Sequence, residues 1–293
     1  MPRLVLHPLT EAAVQAYIDE PSHALLITGA PGSGKGSVAQ YAVSHIFGLD
    51  ENRPEAYEAH PYIRIVRPLE GKAIPVESIR ELQQFLSLKV PASGKGSVQR
   101  AIVIEDAQLL TKESQNALLK TLEEPPADTI LILLAPSNET MLPTIQSRVS
   151  PLAILPPGTE ALKTYFSDMQ YDAEAISRAL MLSGELPGLA RALLDNTADH
   201  PLVEATTHAR GILGSKTYER LLLVDGLSKQ KQLCLDILFV LAQMSRVALM
   251  KAPDDAAAQR WQRVLRATYR AHEQLGRNTQ TKLVLTNLML ALS

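Results

Sequence analysis

Leu25-Leu26-Ile27-Thr28-Gly29-Ala30-Pro31-Gly32-Ser33-Gly34-Lys35-Gly36-Ser37 is the stretch on which the fold turns. A short apolar run leads into a glycine-rich loop, and the residues after it have helical period. That is the setting a phosphate-binding loop requires. Glycines let backbone N–H groups curl around phosphate oxygens, the lysine reaches the outer phosphates, and the helix N-terminus adds its positive end. The bland alternative is a glycine-rich turn carrying an exposed lysine. The full motif has Ser or Thr after the lysine, because that hydroxyl coordinates magnesium. Here the place is taken by Gly36, and Ser37 substitutes only if the helix start shifts by one residue. ATP binding is expected from residues 29–37; magnesium-dependent hydrolysis is not.

Outward from the loop, Ala101-Ile102-Val103-Ile104 and Ile130-Leu131-Ile132-Leu133-Leu134 are further short apolar runs, and Tyr62-Ile63-Arg64-Ile65-Val66 is a fourth. Between them, residues 38–47, 76–86 and 112–123 have helical spacing. Strands alternating with helices predict a parallel sheet covered on both faces. Thr111 is a candidate cap for the helix from Lys112, and Pro125-Pro126 must end it. After Pro156-Pro157-Gly158 strand-like runs become scarce, and residues 231–250 read as an apolar helix with a polar stripe of Gln232, Asp236 and Gln243. A second, softer boundary is placed at 196–201. Ser33–Ser37 is echoed by the same five letters at 93–97, but no strand leads into the echo.

The second element with chemistry is Glu105-Asp106, at the end of an apolar run. An acid pair there resembles a Walker B motif, the first acid holding magnesium and the second polarising water. The usual order is Asp then Glu. The inversion misplaces each carboxylate by about one methylene, and catalysis is sensitive to shifts on the order of 1 Å.

Composition narrows the classes. The chain has 293 residues and a formal net charge of −2. That argues against a free-standing nucleic-acid binder relying on its own basic surface, though not against a subunit touching DNA through a few local groups. Cys234 is the only cysteine, so no intrachain disulfide can form. The seven histidines lack zinc-ligand spacing, so no metal and no zinc site is expected. With no signal-like N-terminus, and no apolar run read as approaching a bilayer's thickness, a cytoplasmic protein without membrane contact is expected.

A set of segments carries a resemblance. Ser114-Gln115-Asn116-Ala117-Leu118-Leu119-Lys120-Thr121-Leu122-Glu123-Glu124-Pro125-Pro126 is similar to the signature of bacterial clamp-loader subunits, in the AAA+ ATPase superfamily. Leu142-Pro143-Thr144-Ile145-Gln146-Ser147-Arg148 resembles that family's Ser-Arg-Cys region, and Ser137-Asn138 its sensor-1 stretch. The segment from Asn278 to Asn287 looks like its last collar helix. The resemblance implies an α/β RecA-like AAA+ domain (1–155), then an all-α lid (156–198) and an all-α collar for oligomerisation (199–293). It implies Arg148 as an arginine finger acting in trans, Glu105 and Asp106 as a degenerate Walker B, and Asn138 with the loop at the nucleotide. Its partners would be the gamma/tau motor and delta subunits, with the sliding clamp and primed DNA reached through the complex.

Departures sort the subunit type. Residues 48–61 contain no four-cysteine zinc module, Val149 stands where the motif has cysteine, and Pro187 stands where motors carry a sensor-2 arginine, with Arg191 one turn on. With Gly36 and the inverted acids, these favour the delta-prime type, which keeps a finger without firing its own site. The alternatives are an active gamma/tau-type ATPase, a nucleoside-monophosphate kinase, whose loop also has glycine after lysine, and a scaffold with no nucleotide.

Overall fold

The four apolar runs are four strands of one parallel sheet in the computed structural model, which describes residues 4–50, 53, 55–69, 72–87, 98–196, 202–276 and 279–292. They are β1 (Ala24–Thr28), β2 (Ile63–Val66), β3 (Arg100–Ile104) and β4 (Thr129–Ala135). A fifth, β5 (Ser150–Ala153), completes the order β2-β3-β4-β1-β5, all neighbours parallel. Alternate side chains leave the sheet on opposite faces. Leu26, Ile102, Ile104, Leu131 and Leu133 join one core with helices α4 (Val76–Ser87) and α5 (Lys112–Glu123). Leu25, Ile27, Val103, Ile130 and Ile132 join the other, with α1 (Pro8–Asp19) and α2 (Lys35–Phe47). Burial on both faces is why these strands read as unbroken apolar runs.

The short helices α3 (Glu55–Ala59) and α6 (Pro143–Gln146) precede β2 and β5. Thr111 caps α5 as expected, its side chain accepting from the Ser114 N–H at 3.1 Å. Ser114 and Gln115 of the signature segment are buried. Ser114 Oγ donates to the Ile74 carbonyl (2.7 Å), and Gln115 takes the Leu142 N–H (3.0 Å). Much of that signature is therefore packing and bracing.

Two compact units divide the chain, Met1–Pro157 and Gly158–Ser293. The second is helical: α7 (Thr159–Asp168), α8 (Ala173–Ser183), α9 (Pro187–Leu194), α10 (Leu202–Gly214), α11 (Thr217–Leu227), α12 (Lys231–Met250), α13 (Asp255–Gly276) and α14 (Thr281–Ala291). Helix α12 is its core element and packs on α8, α10, α11 and α13. This corrects one expectation: α12 is long and apolar enough to cross a bilayer by length and composition alone. More than half of it is buried inside the unit, with Leu238 and Leu241 fully enclosed, as a core helix must be. Gln232 and Asp236 of its polar stripe are hydrogen-bonded at 3.0 Å. The echo at 93–97, nearly all of the boundary read at 196–201, and Asn278 lie outside the described residues.

Candidate nucleotide site and the arginine edge

Residues 29–34 join β1 to α2 at the C-terminal edge of the sheet. Gly32 and Gly34 adopt φ of +79° and +91°, and Gly34 is the N-cap of α2. Ser33, tied through its N–H to the Ala30 carbonyl (3.0 Å), has a buried Oγ with no partner. Lys35 folds back over the loop, its Nζ donating to the carbonyls of Gly29 (2.7 Å) and Ala30 (3.1 Å). Burial pushes its pKa down to about 8, against a weaker upward pull from Asp106. A half-buried ammonium and an orphaned hydroxyl within one loop fit a phosphate group. Pro31 and Gly36 are exposed.

The hydroxyl question has a geometric answer. Helix α2 begins at Lys35, so position 36 is its second residue and Ser37 its third. Successive helical residues are rotated by about 100°, so Ser37 does not occupy the direction of a side chain at 36. A Cβ at 36 would meet nothing within 4 Å, so the missing hydroxyl is not excluded by crowding.

Both acids lie at the same edge, just beyond β3, but they are used differently. Glu105 accepts from Arg67 Nε at 3.1 Å, and Arg67 also holds Glu58 at 2.7 Å. The Tyr57 phenol beside them is pushed up by burial first and then by the Glu105 charge. Glu105 is thus held in a local ion network. Asp106 is exposed, sits in the left-handed region at φ +49°, and accepts from Gln108 at 3.1 Å. Asp106, the second acid, is the one felt by Lys35. Among the described residues no cluster of three or more His, Cys, Asp or Glu is arranged to hold a metal ion.

Asn138 follows β4 at this edge, in a single 3-10 turn, and donates to Gln146 at 3.0 Å. Arg148 is elsewhere. The register pairs Ser150 with Leu25, so Arg148 precedes the N-terminal ends of the strands. At about 3.3 Å per strand residue, its backbone lies roughly 15–20 Å along the strand direction from the phosphate loop. Its guanidinium bonds to the Thr144 carbonyl (2.9 Å) and to Glu123 at the end of α5 (2.8 Å). The fold brings the loop, Asp106 and Asn138 to one edge and leaves Arg148 at the other.

The family model described as "DNA polymerase III, delta subunit" matches residues 9–157, just over half of the chain. The chain belongs to this family. Among delta-family relatives, the DNA polymerase III subunit delta' of Escherichia coli is 32% identical over 64% of this chain and 59% of that protein. That of Pseudomonas aeruginosa is 31% identical over 59% and 56%. The matched region therefore spans less than two thirds of the length of these relatives. A DNA polymerase III gamma subunit-related protein of Thermotoga maritima, of known structure, aligns over 96% of this chain and 97% of its own, at 18% identity and a TM-score of 0.49.

Two features of this delta-family chain are absent from the sequence reading. Arg67, which also pairs with Glu58, holds Glu105 from 38 positions away, a distance no local motif spans. Glu123 lies inside the signature segment, but its ion pair with Arg148 links two motifs that sequence places separately. Val149, standing in the cysteine's place, is buried in the core that includes Leu118 and Leu122.

Proposed function

We propose that this chain is a delta-prime-type subunit of a DNA polymerase III clamp loader, binding nucleotide but hydrolysing it weakly or not at all, and donating Arg148 to a neighbour's nucleotide. The observation that carries the reading is the separation of Arg148 from the chain's own phosphate loop, across the full length of the strands. A guanidinium on the far edge has no route to its own γ-phosphate and is free to serve the next subunit. The weak-hydrolysis part rests on Gly36 and on the ion network that occupies Glu105.

Residues 156–198 would form the lid and 199–293 the collar, with gamma/tau and delta subunits as neighbours. Exposed apolar side chains favour that collar. On α11, Tyr218 and Leu222 are 72% and 63% exposed and lie one turn apart, on one face. On α14, Leu283 and Leu290 are also exposed. The test is reconstitution with the motor subunit, delta, clamp and primed DNA. The purified chain is expected to show no turnover, and Lys35→Ala is expected to assemble normally. Leu222→Glu should fold yet fail to assemble. Turnover by the chain alone, lost in Lys35→Ala, would establish the active-motor alternative instead.

The loop lysine adds a pH signature. Folded Lys35 loses its proton near pH 8 and the unfolded chain near 10.5. Its burial therefore opposes folding below pH 8, and that penalty fades as pH rises towards 10.5. Phosphate needs the ammonium, so ATP affinity is expected to fall as pH rises above 8, by up to about tenfold per pH unit. Titration calorimetry at several pH values checks this. The Lys35→Ala variant should bind weakly with a flat profile; an equal slope in both proteins would remove Lys35 from the site.

A further inference from the structure

The helical unit carries a continuous basic groove that the reading above does not use. Between α13 and α14 is an open pocket of about 380 Å³, walled by Arg263, Arg266 and Arg270 with Gln274 and Asn287. A second, of about 490 Å³, adjoins it through Arg263 and Ala291, and adds Lys216, Arg220 and Arg260. Six cationic side chains line the pair, and among the described residues no carboxylate does. In a chain of net charge −2 this is a strong local concentration.

The cations are not consumed by the protein itself. Arg263, Arg266 and Arg270 are exposed and make no ion pair among the described residues. Arg260 stacks over Trp261, 5.7 Å from the ring centroid. Arg220 is only 6% exposed, yet it bonds to a neutral partner, the Ile212 carbonyl, which accepts from Nε at 2.7 Å. A buried guanidinium without a carboxylate is costly unless an anion arrives from outside. The N-terminus of α11, at Lys216 and Thr217, opens into the same pocket and favours negative charge.

We propose that this groove binds the sugar–phosphate backbone of single-stranded nucleic acid. Its extent exceeds one phosphate: Arg260 to Arg270 spans about 15 Å of helix at 1.5 Å per residue. Five of the six cations are arginines, whose planar forks match phosphate oxygens in pairs. Tyr269, 53% exposed, lies one turn from Arg266 on the flank of α13 outside both pockets, where a base turned out of the groove can stack on it. An acidic peptide would use the charges but leave the tyrosine idle. Arg220 points from the side of α11 opposite Tyr218 and Leu222, so on that helix the groove and the apolar face are separate surfaces.

The test is fluorescence anisotropy of the full chain with labelled oligothymidylate of roughly 16 nucleotides, the upper site size of one single-strand-binding module. Arg266→Ala with Arg270→Ala changes two exposed side chains outside the core. It is expected to weaken binding about tenfold and to flatten the log Kd–log salt slope by about 1.4, at roughly 0.7 per phosphate contact. Lys35→Ala should bind the oligomer as the unaltered chain does, which separates this site from the phosphate loop. Three results would overturn the proposal. One is no binding at low salt, or equal binding by the double variant. Another is complete competition by inorganic phosphate alone, which would make it a single-anion site. The third is polyglutamate binding as tightly and with the same arginine dependence, which would assign the groove to an acidic protein segment.

Discussion

Replacing Arg148 with alanine in the reassembled complex is expected to slow ATP hydrolysis at the neighbouring site by on the order of 10³-fold, the usual worth of an arginine finger. Nucleotide binding by this chain should not change, because Arg148 lies at the opposite edge of the sheet from the phosphate loop. Single-turnover hydrolysis of bound ATP reads the first quantity and calorimetry of the isolated chain the second. Arg148→Lys should recover little, since a point charge cannot replace a planar fork. Glu123→Gln is the informative partner variant. The Arg148–Glu123 pair is half-exposed, and pairs of that kind contribute only about 0–1 kcal/mol, so releasing the arginine to a γ-phosphate costs little. If Arg148 is the finger, Glu123 would be a positioning residue, and its loss should lower the rate far less than loss of Arg148. An unchanged rate in Arg148→Ala would sink the finger assignment.

Gly184→Ala is expected to be the most damaging small substitution in the helical unit. Gly184 ends α8 at φ +64°, and an added Cβ would fall 2.4 Å from Gln243 Cβ and 3.2 Å from its Cα. Gln243 belongs to α12, the unit's core helix, so its backbone has little room to retreat. Left-handed strain of about 1–2 kcal/mol adds to overpacking of about 1–3 kcal/mol. A chain of this size would lose roughly 10 °C in Tm. Gly211→Ala is the control: it lies within α10 with nothing within 4 Å of the new methyl, and should stabilise by about 0.5–1 kcal/mol. Thermal melts showing equal behaviour for both would contradict this account of the α8–α12 contact.

The physics of burial decides what could be read from sequence. β1, β3 and β4 are buried on both faces, so their apolar runs are unbroken and unmistakable. β5 is not legible in the same way, because Ser150-Pro151-Leu152-Ala153 buries only Leu152 and carries a proline, which is tolerable because it is an edge strand. Helix α1 has start signals in Pro8 at its first turn and the His7 cap, but no motif marks it. The phosphate loop and acid pair were legible because each is contiguous. The Arg67–Glu105 tie was not, because it joins residues brought together only by the pairing of β2 with β3. The arginine spacing on α13 was visible in principle, but Lys216 and Arg220 join it only through packing of the helices.

The two edges of the sheet also give the molecule a direction. If the proposed function holds, a nucleotide at one end of the strands and an arginine at the other would make unlike surfaces, and neighbours would meet head to tail and not face to face. In such a file each junction needs a loop from one member and an arginine from the next. A member whose own loop edge is chemically quiet, as Gly36 and the Arg67-paired Glu105 would make this one, could complete the junction on its arginine side while asking nothing of the other. On the proposed reading it would be a terminus, the place where a row of working sites stops without leaving its last site half made.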